Sequence, residues 1–116
     1  MYELKEVTLK NKHYEKKRLV INFYNPQYNI LAEFLMSDAC LLSEEISHAF
    51  KLVSSGEKVE LSGNRCHVEI KQTETCIYDL FSDNESISYP SLKLTTEEFK
   101  QYINIWKEAL IQFNDQ

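Results

Sequence analysis

The run Leu94-Thr95-Thr96-Glu97-Glu98-Phe99, with the helix it opens, restricts the folds open to this chain more than any other stretch. Thr95 stands at an N-cap position with Glu98 three residues on. The hydroxyl can accept from a first-turn amide while the glutamate reaches back to the cap's own N–H. Leu94 and Phe99 take the positions of a hydrophobic staple, which sets the angle at which the chain enters the helix. Phe99, Tyr102, Ile103, Trp106, Ala109, Leu110 and Phe113 then recur at helical spacing and gather the only tryptophan onto one apolar stripe. Lys100, Gln101, Asn104, Lys107 and Glu108 fill the opposite face. A stripe of that width needs a sheet to cover, and Trp106 is predicted to lie buried at its centre.

The rest of the chain supplies the sheet. Residues 2–9 place Tyr2 and Leu4 in one parity and Val7 and Leu9 in the other, which predicts a strand with a bulge or two short pieces. Residues 10–17 read as a polar connection, and 18–24 as a strand with Leu19, Ile21 and Phe23 alternating. Asn25-Pro26-Gln27 turns the chain, because proline presets φ and pushes its predecessor out of the helical region. Residues 30–36 are apolar at nearly every position except Glu33; a strand is expected there, with Ser37-Asp38 capping a helix over residues 39–54. Leu42, Ile46, Ala49, Phe50 and Val53 form that helix's stripe, and Gly56 suits a left-handed C′ position. Val59 and Leu61 alternate up to Gly63-Asn64, read as a type II′ hairpin turn, and Cys66, Val68 and Ile70 alternate beyond it. A third strand follows over residues 75–81, then a polar loop over 82–86. The expected class is α+β: one antiparallel sheet of about five to six strands with two helices, the C-terminal one packed on the sheet. At 116 residues this is a single domain, 1–116, able to bury roughly two-thirds of its unfolded surface without metal or disulfide.

Charge is distributed unevenly. Residues 1–18 carry six Lys/Arg against three Glu, so with a net charge of −5 the other 98 residues carry −8. Such a body favours basic partners and repels nucleic acid. Cys40, Cys66 and Cys76 are odd in number and lie in apolar contexts, which predicts buried, reduced thiols in a cytoplasmic protein. No apolar run approaches the length of a membrane span, and the N-terminus lacks the features of a secretory signal. Cys66 and His67 are adjacent on a presumed strand and point to opposite faces, so they cannot jointly hold a metal; no metal or other cofactor is expected. No glycine-rich turn offers an oxyanion or phosphate cradle, and the paired carboxylates Glu44-Glu45 and Glu97-Glu98 are explained by helix faces and capping. The chain therefore reads as a binding protein and not an enzyme. Lys10, Lys12, Lys16, Lys17 and Arg18, with His13 and Tyr14, form the one basic cluster. Contact with phosphate, Tyr14 stacking on a base, is its alternative reading; a nucleic-acid binder or an enzyme using this connection or an unseen pocket is the second function class.

The segments Ser54-Ser55-Gly56, Val59-Glu60-Leu61-Ser62-Gly63-Asn64, Cys66-His67-Val68-Glu69-Ile70 and Ile77-Tyr78-Asp79-Leu80-Phe81, with residues 94–106, resemble a group of small bacterial immunity proteins. These belong to contact-dependent growth inhibition and related polymorphic toxin systems. The resemblance covers residues 50–106. It implies a non-catalytic inhibitor that binds a cognate toxin domain, basic and often a nuclease, blocking its active site or its substrate access. It carries over no contact residues; no membrane and no direct nucleic-acid contact are expected, from the lack of a long apolar run and the acidic balance. Asp79, Asp83 and Glu85, which end the strand run and enter the longest polar loop, are the expected toxin-binding carboxylates, placed where side chains project without a packing role.

Overall fold

A computed structural model describes residues 1–80 and 90–114 of the chain. It begins with two nine-residue strands, β1 (Tyr2–Lys10) and β2 (Glu15–Phe23), paired antiparallel from Tyr2 opposite Phe23 to Lys10 opposite Glu15. The expected bulge does not occur, and residues 15–17 belong to β2 rather than to a connection. In an unbroken strand Tyr2 and Leu4 share a face with the buried Leu19, Ile21 and Phe23, while Val7 and Leu9 share the other face with Val20. The change of parity marks where β1 leaves the body. Residues 8–18 are all exposed, so the distal half of the hairpin is a free ribbon. Its tip is closed by Asn11, whose Oδ1 accepts from the N–H groups of His13 (2.7 Å) and Tyr14 (3.0 Å).

A short 3₁₀ turn (Pro26–Tyr28) leads into α1 (Asn29–Glu33), which widens into a π-helical turn over Phe34–Asp38. The strand expected over residues 30–36 is therefore a helix. Ile30, Leu31, Phe34, Leu35 and Asp38 are buried while Glu33 and Ser37 are exposed, a period near four rather than two. Helix α2 (Ser43–Ser54) starts later than expected and is not capped by Ser37-Asp38. It ends as the sequence predicts. Gly56, at φ +89°, donates to Val53 O and the next amide, Glu57, donates to Leu52 O, the paired bonds of a left-handed helix stop.

Strands β3 (Val59–Ser62), β4 (Cys66–Ile70), β5 (Glu74–Asp79) and β6 (Leu92–Thr95) form a second sheet in that order, every pair antiparallel. Helix α3 (Thr96–Asn114) follows at once. The residues read as staple and cap thus also pair with β5, Leu94 opposite Thr75 and Thr95 opposite Glu74. The cap itself is present: Glu98 N–H donates to Thr95 Oγ1 at 3.0 Å. The Glu98 carboxylate is drawn elsewhere, accepting from Tyr28 Oη at 2.6 Å, which pushes the Tyr28 phenol up to about 12. The α+β class stands, but among the described residues the six strands divide into sheets of two and four, and the helices number three.

Val59, Leu61, Val68, Ile70, Ile77, Leu92 and Leu94 line the inner face of the larger sheet, on which α3 lays Phe99, Ile103 and Trp106. Trp106 is 4% exposed, as its place in the stripe predicts. Tyr2, Phe23, Tyr28 and Tyr102 pack ring against ring at 5.1 to 6.2 Å between centroids, tying the base of the ribbon to α3. The outer face of the larger sheet carries Glu60, Ser62, His67, Glu69, Cys76, Tyr78 and Lys93.

Candidate functional site

At the end of β5, where α1 and the start of β4 converge, a polar notch of about 310 Å³ opens between Gln27, Asn29, Glu33, Arg65, Asp79 and Ser91. Arg65 lies between two carboxylates: Nη2 is 3.6 Å from Asp79 Oδ2 and Nε is 4.0 Å from Glu33 Oε2. Asp79 N–H donates to Ser91 Oγ at 3.3 Å. One cation against two anions leaves these three side chains at a net −1, in a half-open setting where Coulomb forces are less screened than on a flat surface.

Asp38 anchors the turn that carries Arg65. It is wholly buried and accepts from three successive amides: Asn64 at 2.9 Å, Arg65 at 3.0 Å and Cys66 at 2.7 Å. The π-helical turn places it there, with Ala39 N–H reaching back five residues to Phe34 O. Gly63 answers to the same carboxylate. A Cβ on Gly63 would lie 2.6 Å from Asp38 Oδ2 and 2.8 Å from Asp38 Cβ, and closer still to Cγ. Gly63 does not have the positive φ that a type II′ turn requires, so that expected turn is corrected: three residues separate the strands, and glycine is needed for close approach.

Of the three carboxylates expected to contact a toxin, Asp79 lies in this notch and is engaged with Arg65, so it is not the freely projecting loop charge that was expected. Asp83 and Glu85 lie outside the described residues. Glu33, Arg65 and Asp38 were not singled out by the sequence. Glu33 offered one signal, as the single charge in an apolar run; Arg65 and Asp38 acquire their roles only from each other's position.

The larger cavity, about 410 Å³ between α2 and the start of α3, has Glu97 and Lys100 as the charged groups in its lining. Among the described residues no three of His, Cys, Asp and Glu gather where a metal could be held. Cys66 faces the core, whereas His67 faces outward, Nδ1 2.6 Å from Ser62 Oγ and Nε2 3.8 Å from Glu60. No helix among the described residues is long and apolar enough to cross a membrane.

All three cysteines are free thiols, but Cys40 is exposed, contrary to the expectation that all three are buried; it follows the π-helical turn where the chain faces outward. Burial, with Asp38 nearby, pushes the Cys66 thiol up to about 12, and burial with a hydrogen bond to Glu74 raises Cys76. In the native protein, a thiol-disulfide reagent at neutral pH is expected to modify Cys40 alone, the other two becoming reactive on unfolding. Rapid native reaction of two or more thiols would contradict the burial of Cys66 and Cys76.

Comparison of the chain with known protein families, with curated proteins and with solved structures finds no match.

Proposed function

We propose that the protein is an immunity protein that binds a basic toxin domain, a nuclease in the first instance, and blocks its active site or its access to substrate. The observation that carries the reading is the notch, in which Glu33 and Asp79 flank Arg65 on a body whose remaining charge is strongly negative. A lysine or arginine of a basic partner entering it meets the carboxylates of Asp79 and Glu33, which stand 3.6 and 4.0 Å from Arg65. Carboxylates so placed take the role that phosphates take for a nuclease, and the acidic field adds to the rate of encounter. The resemblance over residues 50–106 supports the same reading.

The test is co-expression with a toxin domain encoded beside its gene. Growth is expected to be rescued by the wild-type chain, and the double substitution Glu33→Gln, Asp79→Asn is expected to slow association roughly tenfold at low salt, with a smaller change at high salt. Death of cells that contain folded, soluble protein would eliminate the immunity reading. An association rate unaffected by the double substitution would move the contact away from the notch.

A further inference from the structure

The ribbon suggests a second binding surface. Residues 8–18 hold five Lys/Arg and one Glu, a net +4, and they lie where β1 and β2 stand clear of the body. Among the described residues, no carboxylate lies within ion-pairing distance of Lys10, Lys12, Lys16, Lys17 or Arg18, so these cations are not consumed in holding the fold. The acidic remainder of the chain opposes nucleic acid only where it lies close to the bound ligand. From Leu19, the buried residue of β2 nearest the tip, to the tip is roughly 15 Å of strand at about 3.4 Å per residue, about two screening lengths at physiological ionic strength. Acidic groups on the body are largely screened from a ligand held at the tip.

We propose that the ribbon binds double-stranded nucleic acid through its phosphates, without base selectivity. Cations occupy both faces: Lys10 and Lys17 on one, Lys16 and Arg18 on the other, with Lys12 in the tip. A flat acidic protein surface would meet one face only. A groove walled by phosphate on two sides meets both, and the major groove, about 12 Å wide, admits a two-stranded ribbon. Leu9 and Tyr14, 46% and 56% exposed, give the distal ribbon apolar surface to lay along sugars and base edges. The loop is preorganised by the Asn11 side chain, so little ordering is required of it on binding.

The proposal is independent of the toxin reading, and its failure would leave the co-expression result untouched. The experiment is fluorescence anisotropy of the full chain with a labelled 20-base-pair DNA duplex of arbitrary sequence at ~50 and ~200 mM salt. Four phosphate contacts predict that affinity falls about 100-fold between the two. Lys10→Glu, Lys12→Glu, Lys16→Glu and Lys17→Glu together are expected to abolish binding at an unchanged thermal midpoint, whereas Lys93→Glu with Lys100→Glu on the body should retain it. Absence of binding at the lower salt, or equal loss in both variants, would overturn the proposal. So would displacement of the duplex by polyglutamate at equal charge, which would assign the ribbon to an acidic protein, or sedimentation as a dimer that the ribbon variant dissociates, which would assign it to a second copy.

Discussion

Asp38→Ala is expected to destabilise the protein by about 3–5 kcal/mol, a large part of the 5–15 kcal/mol that holds a domain together. The substitution leaves the amides of Asn64, Arg65 and Cys66 without their acceptor, and the Cys66 amide is fully buried. A buried donor left unmet costs about 1–3 kcal/mol, so three partly or wholly buried donors dominate the small loss of side-chain packing. Gly63→Ala acts on the same contact from the other side and is expected to cost about 1–3 kcal/mol, since its Cβ overlaps the carboxylate and neither backbone can yield freely. The two effects are not additive. With Asp38 already alanine, the carboxyl atoms that the methyl at position 63 would strike are gone and only the Cβ contact at 2.8 Å remains, so the double variant should be less destabilised than the sum of the singles. Urea unfolding of the four proteins at constant m-value checks this; strict additivity would show that the approach of Gly63 to Asp38 is not what excludes a side chain there.

Trp106→Ala is expected to cost about 3–5 kcal/mol, as the removal of a buried aromatic ring from a packed stripe. Trp106 is nearly inaccessible and joins Phe99 and Ile103 in the core. Its indole N–H is buried with no acceptor within reach among the described residues. The ring therefore contributes through its area alone, against an unmet donor worth about 1–3 kcal/mol in the opposite sense. It follows that Trp106→Phe, which shrinks the ring but deletes the donor, should cost well under half as much as the alanine change. Equal urea midpoints for the two variants would refute this division, and an unchanged midpoint for alanine would place the stripe against solvent.

The elements legible in the sequence were those whose reasons are local. The Thr95 cap, the Gly56 stop, the alternation in β2, β3 and β4 and the stripe of α3 depend on neighbours a few residues away, and each appears where its pattern predicts. Residues 30–36 were misread because a continuous apolar run fits both a central strand and a deeply buried helix. The deciding detail was Leu35, apolar and buried between the exposed Glu33 and Ser37: a pleat would set all three on one face, whereas a helix turns Leu35 away from the other two. The bulge expected in β1 came from taking both parities to be buried, when one of them only marks a strand running past the edge of the core. The candidate site was the least legible part. Asp79 could be named from its position at the end of a strand, but Arg65, Glu33 and Asp38 meet only after α1 has folded over the β3–β4 turn, a contact between segments more than 25 residues apart. Nothing in the local pattern of any of them announces it.

A ribbon of two strands has no inner strand, and among the described residues no third strand meets the backbone N–H and C=O groups along its long edges. Such edges recruit further strands from other chains wherever the side chains allow approach. Here the distal edges bear Lys10, Lys16, Lys17 and Arg18 on every copy, so two ribbons brought edge to edge set like charges side by side before the backbones can pair. The same lysines thus discourage the protein from polymerising through its most exposed secondary structure, and that task accounts for their presence whether or not a ligand is bound.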